Sequence, residues 1–225
     1  VPADRDFELT WKAEAGNTPS VGLFREKVAD HDYLLAYVTP PVVVQAEAVK
    51  PREIVFVIDN SGSMSGTSMT QAKASLDYAL GRLKPTDRFN VIRFDDTMDQ
   101  LYPNTVAASD DNIQRAKNFV AALEATGGTE MLAPMKAALV DPNPDDKRFV
   151  RQVVFITDGD IGNEAEVLQA VQTGLGRSRI FTVGIGTAPN TFYLTRAARI
   201  GRTTRDWRAF RRFIAASRYG PSIRN

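Results

Sequence analysis

The sequence predicts an α/β protein: a doubly wound, mostly parallel sheet preceded by a short β segment. Three observations carry that expectation. From residue 52 onward, apolar runs of strand length alternate with amphipathic runs of helical length. Two of the apolar runs, Ile54–Ile58 and Val153–Ile156, have no polar interruption, as in strands covered on both faces. Each of these runs leads into an aspartate, Asp59 or Asp158, where a parallel sheet would present its ligand-binding edge.

The elements follow in order. Phe7, Leu9 and Trp11 alternate with Glu8, Thr10 and Lys12, the pattern of a half-buried strand. The stretches VGLFREK and YLLAYVTPP, separated by the polar VADHD, read as a hairpin. Trp11, Phe24 and Tyr37 are expected to bury against one another, and His31 is expected at the surface. Three strands without a helix make a poor independent domain. Residues 1–46 are therefore expected to be the remnant of a larger β domain, with the parent chain extending upstream. Pro40-Pro41 and the AEAVKPRE stretch form a linker.

An α/β domain is expected over 47–204. Its strands are EIVFVID, RFNVIRF, RQVVFITDG and RIFTVGIG. Its helices are SMTQAKASLDYALGRL, with Ala72, Leu76, Ala79, Leu80 and Leu83 near one face, and SDDNIQRAKNFVAALEA, with Ser109 as N-cap. A short helix over MLAPMKAALV, then EAEVLQAVQTGL and APNTFYLTRAARIG, complete the set. Residues 205–225 form an Arg-rich tail, expected to be helical, with Trp207, Phe210, Phe213 and Ile214 at amphipathic spacing.

Composition excludes several function classes. There is no cysteine, which removes thiol nucleophiles, thiolate metal sites and disulfides. The net charge of +1 argues against a general nucleic-acid binder, although nine Arg and one Asp lie from Arg196 onward. No apolar run approaches the roughly 18 residues of a membrane-spanning helix.

The chemistry gathers at Asp59-Asn60-Ser61-Gly62-Ser63. A phosphate loop would carry further glycines and a lysine, and a leading aspartate would repel phosphate. A serine hydrolase would need a histidine, and the single His31 lies in the β segment. A metal site fits best. Asp, Ser and Ser are hard oxygen donors of the kind Mg²⁺ takes, and other loops can complete the shell. Thr129 in ATGGTEM and Asp158 in FITDGD stand in the right contexts. The structural alternatives are an ordinary turn aspartate and serines that cap the helix beginning near Ser68. Asp95 and Asp96 read as turn acids, and Asn60 and Asp160 as neighbours of the site. Met64 and Met69 flank it, either as a partner surface or, for Met69 above all, as packing.

These residues resemble the metal-ion-dependent adhesion site of von Willebrand factor type A domains: Asp-x-Ser-x-Ser, a distant Thr, then a distant Asp. All five positions are filled, by Asp59, Ser61, Ser63, Thr129 and Asp158, and the resemblance covers about residues 52–201. It implies Mg²⁺, with Mn²⁺ or Ca²⁺ as substitutes. It also implies one coordination position left open for an Asp or Glu carboxylate of a protein partner.

VFVIDNSGSMSGTSMTQAK, DRFNVIRFDD, GGTEMLAPMKAAL, RQVVFITDGDIGNE and RIFTVGIGTAPN narrow the match. They resemble A domains that follow a VIT domain, as in inter-alpha-trypsin inhibitor heavy chains and exported bacterial homologues. ADRDFELTWKAEAG then resembles the end of a VIT domain. The pattern is lost after Gly201-Arg202, which puts the family's affinity-switching last helix in doubt for this chain. The expected function is metal-dependent protein recognition outside the cell or at its surface, without catalysis. The alternatives are a Mg²⁺-dependent phosphoryl-transfer or hydrolytic enzyme, and an intracellular scaffold in a chaperone complex.

Overall fold

A computed structural model describes residues 18–39, 50–159, 163–186 and 189–201. The expected strand over residues 7–12, the Arg-rich tail and Asp160 lie outside the described residues. The chain divides into two compact units, Val1–Val49 and Lys50–Asn225.

The first unit contains an antiparallel hairpin of β1 (Ser20–Val28) and β2 (His31–Thr39), paired from Ser20 opposite Thr39 to Val28 opposite His31. Ala29 turns the corner at φ 52°, on the positive side that two-residue hairpin turns demand. The burial expectation fails here. Phe24 and Tyr37 are 61% and 51% exposed. Within a two-stranded ribbon each side chain meets only its cross-strand neighbours, and among the described residues no second layer closes over it.

The second unit is built on a six-stranded sheet. Its strands are β3 (Arg52–Asp59), β4 (Arg88–Phe94), β5 (Met98–Gln100), β6 (Val106–Ala107), β7 (Val150–Thr157) and β8 (Arg179–Gly184). The order is β5-β4-β3-β7-β8, with β6 also on β4. β3 pairs in parallel with both β4 and β7, and β7 with β8; the short β5 and β6 run antiparallel along β4. Sequence patterning misses β5 and β6, which are too short to show a period.

The helices are α1 (Thr67–Leu80), α2 (Asp110–Ala121), α3 (Leu132–Leu139), α4 (Glu164–Gly174) and α5 (Thr191–Ile200). Ser109 caps α2 as expected, its hydroxyl accepting from the Asn112 N–H. The unbroken apolar run of β3 hides a strict alternation. Ile54, Phe56 and Ile58 pack under α1 and α2 with Leu76, Leu80 and Val120. Val55 and Val57 pack on the other face with Met135, Val171 and Leu194 of α3, α4 and α5. Met64 and Met69 are both buried in the first of these layers, so Met64 is core and no partner surface.

The edge where β3 and β7 begin is pinned by charge. Glu53, 5% exposed, receives Arg151 at 3.0 Å, Arg177 at 2.7 Å and the Thr105 hydroxyl at 2.9 Å. Arg177 also pairs with Asp141, and Arg151 donates to the carbonyls of Ala138 and Val140 at the end of α3.

Asp87 makes a second pin, accepting from the Arg52 and Lys84 backbone N–H groups and from the Arg52 guanidinium. Burial would raise its carboxyl, but these bonds outweigh it and hold the group below the usual value. A depressed folded-state value means stability that is present above the unfolded value of about 3.9 and lost as pH falls through the folded one. Asp87→Ala should therefore cost on the order of 2 kcal/mol at pH 7 and much less near pH 2, read by urea unfolding at both. An equal loss at both pH values would refute the assignment.

Candidate metal centre

From β3 the chain goes through α1 to β4 on one side, then crosses back to β7 on the other. The reversal leaves a crevice beyond the carboxyl ends of β3 and β7, the place where open α/β sheets bind ligands. Asp59 closes β3, and Asp158 directly follows β7.

Asp59 is fully buried. Its Oδ1 accepts from the Ser61 N–H at 2.9 Å and its Oδ2 from the Thr157 hydroxyl at 2.6 Å. Both partners are neutral. Burial pushes the carboxyl above its ordinary value; the bonds from Ser61 and Thr157 pull it back in part, and the neighbouring Asp158 carboxylate raises it further. A buried carboxylate with hydroxyl partners and a second carboxylate nearby is a setting that a cation would relieve.

The serines leave β3 in a short 3₁₀ turn, Gly62–Met64. Ser61 is buried and Ser63 exposed, and their Oγ atoms stand 3.1 Å apart. Neither caps α1: the cap position is Gly66, at φ 74°, with no side-chain cap bond. The capping alternative is thereby removed. Oxygens at adjacent vertices of a Mg²⁺ octahedron, each about 2.1 Å from the ion, are about 3 Å apart, so the hydroxyl pair fits that shell. Among the described residues no three His, Cys, Asp or Glu side chains cluster to hold a metal.

The loop carrying Thr129 is stitched to the Asp59 loop by backbone bonds. Gly62 N–H donates to Gly127 O at 3.0 Å and Thr126 N–H to Asn60 O at 2.9 Å. Thr129 and Asp158 are both half-buried. Three loops, from three separate parts of the sequence, thus converge at one sheet edge.

Thr157 was not singled out from the sequence, and Asn60, Asp95 and Asp96 were named there without a role in holding the loops. Thr157 bridges Asp59 and the Gly159 N–H; its signal was a lone hydroxyl at the end of an apolar strand. Asn60 and Asp95 are buried beside the loops, and the exposed Asp96 follows them in the same polar set. The Asn60 amide donates to Asp95 Oδ2 at 3.0 Å and to Glu124 O at 3.1 Å, and its own buried Oδ1 accepts no bond. Burial raises Asp95, but bonds from Thr97 and Asn60 and the charge of Arg93 outweigh it and hold its carboxyl low. The reading of Asp95 and Asp96 as ordinary turn acids is incomplete, because both bond to the Thr129 loop.

A doubly wound sheet with an Asp-x-Ser-x-Ser turn at its switch point defines a class of α/β binding domains. The chain belongs to the von Willebrand factor type A family, whose domain model matches residues 52–204. It is 33% identical over 168 residues to human inter-alpha-trypsin inhibitor heavy chain H4, covering 70% of this chain and 18% of that protein. The chain thus spans less than a fifth of the length of the curated relatives it matches.

Among solved structures it resembles a von Willebrand factor type A protein from Catenulispora acidiphila, with TM-score 0.62 and 22% identity over 93% of this chain and 51% of that one. It also resembles the manganese-loaded TRAP protein of Plasmodium vivax, with TM-score 0.55 and 17% identity over 70% and 65% of the two chains. No helix among the described residues is long and apolar enough to cross a membrane.

Proposed function

We propose that the second unit is a divalent-metal-dependent protein-binding module. Asp59, Ser61, Ser63, Thr129 and Asp158 hold Mg²⁺, with Mn²⁺ or Ca²⁺ able to substitute, and leave one position for a partner's Asp or Glu carboxylate. The observation that carries this reading is the hydroxyl pair of Ser61 and Ser63, 3.1 Å apart beside the buried Asp59 carboxylate. Asp59 and Asp158 supply charge and fix ligand or water positions, and the three hydroxyls supply neutral oxygens. When bound, the ion would supply an electrophilic position for an incoming anion, because the hydroxyl donors beside it are neutral.

The likeness to heavy chain H4 supports placing this chain in the VIT-plus-A-domain group, with residues 1–46 as the end of a VIT-like domain. It also supports work outside the cell or at its surface.

Calorimetric titration of the 225-residue chain with Mn²⁺ and Mg²⁺ tests the reading. Saturable heat is expected for the wild type, and affinity about tenfold or more weaker for Thr129→Ala. No heat at millimolar metal would refute it. With Mn²⁺ present, an Asp- or Glu-bearing peptide should broaden or shift the signals of the bound ion, and its amide counterpart should not.

A further inference from the structure

We propose that Asp96 is the positioning residue for Thr129, holding that hydroxyl at the site before any metal arrives. The proposal rests on the metal-site reading for its purpose, but its geometry stands independently. Thr129 lies between two peptide N–H groups that are both gripped by the turn after β4. The Gly128 N–H, just before it, donates to Asp96 Oδ1. The Glu130 N–H, just after it, donates to the Asp95 carbonyl at 2.8 Å. The Asp95-Asp96 step therefore straddles Thr129.

The two glycines before Thr129 make this approach possible. A Cβ on Gly127 would stand 2.7 Å from Asp96 Oδ2, and one on Gly128 would stand 2.5 Å from Oδ1. Gly127 also sits at φ 70°, where a side chain is strained. The Asp96 carboxylate thus lies against a strip of backbone from which a Cβ at either glycine would displace it. Asp95 is itself held from behind by the Asn60 amide, so the clamp is tied to the residue following Asp59. Positions of the Asp59 turn and the Thr129 loop are set by one polar set.

Asp96 is exposed, so replacing it leaves the core untouched. Asparagine keeps an oxygen acceptor for the Gly128 N–H and loses the charge; alanine loses both. Asp96→Ala is expected to weaken Mn²⁺ binding about tenfold, and Asp96→Asn by no more than about twofold. In a Thr129→Ala background the further loss from Asp96→Ala should shrink to near nothing, since the oxygen being positioned is gone.

Amide exchange in EDTA supplies the arm that does not need metal: Asp96→Ala should speed exchange at Gly128 and Glu130, and Asp96→Asn should not. Equal weakening by Ala and Asn would assign the effect to charge and overturn the proposal. Unchanged exchange in Asp96→Ala would overturn it as well. If the wild type binds no Mn²⁺ yet Asp96→Ala still speeds exchange, the metal reading fails and the positioning of Thr129 stands.

Discussion

Asp59→Asn is expected to weaken Mn²⁺ binding at least about a hundredfold while leaving the fold intact. The substitution conserves shape and removes the one fully buried charge at the sheet edge. An amide can still accept from the Ser61 N–H or the Thr157 hydroxyl, so the strand end is not orphaned. The folded carboxyl is raised, chiefly by burial. Its stability contribution is therefore present below the unfolded value of about 3.9 and lost as pH rises through the folded value. In EDTA at neutral pH, Asp59→Asn should melt at the wild-type temperature or above it; at pH 3 the two should converge. Mn²⁺ should raise the melting temperature of the wild type alone. A variant that still binds Mn²⁺ within tenfold of wild type would remove Asp59 from the site.

Glu53→Ala should be the most destabilising polar change in the second unit, at about 3–5 kcal/mol. Glu53 sits between Arg151 and Arg177, and the Arg151 side chain is only 2% exposed. Removing the carboxylate leaves a guanidinium buried, with carbonyl partners, Asp141 at 3.9 Å and an Nε that donates no hydrogen bond. The pair also joins the starts of β3 and β7, so its loss loosens the two central strands together. A melting-temperature drop of about 10 °C is expected for a domain of this size. The double variant Glu53→Leu with Arg151→Leu should recover much of the loss, because no charge is then stranded. Recovery absent from the double variant would show that packing, not the charge, sets the cost.

The two predictions concern opposite ends of the same strand, and they differ in how much the sequence disclosed. Asp59 was singled out because it ends an apolar run and because, with Ser61, Ser63, Thr129 and Asp158, it fills the family's metal-site pattern; alone it would read equally well as a turn aspartate. Glu53 was not legible. Its partners lie at 105, 151 and 177, and nothing local marks a charged residue at a strand start as buried. Asp95 and Asp96 fall between these cases. The sequence placed them at a strand end, but their grip on Gly128 and Glu130 reaches across β5, β6 and α2. The exposed Phe24 and Tyr37 err the other way: alternation in a strand marks a face as apolar, not as covered.

By itself the sequence determined what is local or periodic. Strand and helix order, the Ser109 cap and the parallel sheet follow from spacing along the chain, because backbone geometry converts periods of 2 and 3.6 into faces. Tertiary structure alone decided which face of β3 meets which helices, which serine is buried and which exposed, and how Asp96 straddles Thr129. Those outcomes depend on groups brought together from 30 to 100 positions apart, as in the Thr157–Asp59 bond. Their energies exist only once the sheet has formed and these groups are buried against one another, so no stretch of sequence can carry them alone.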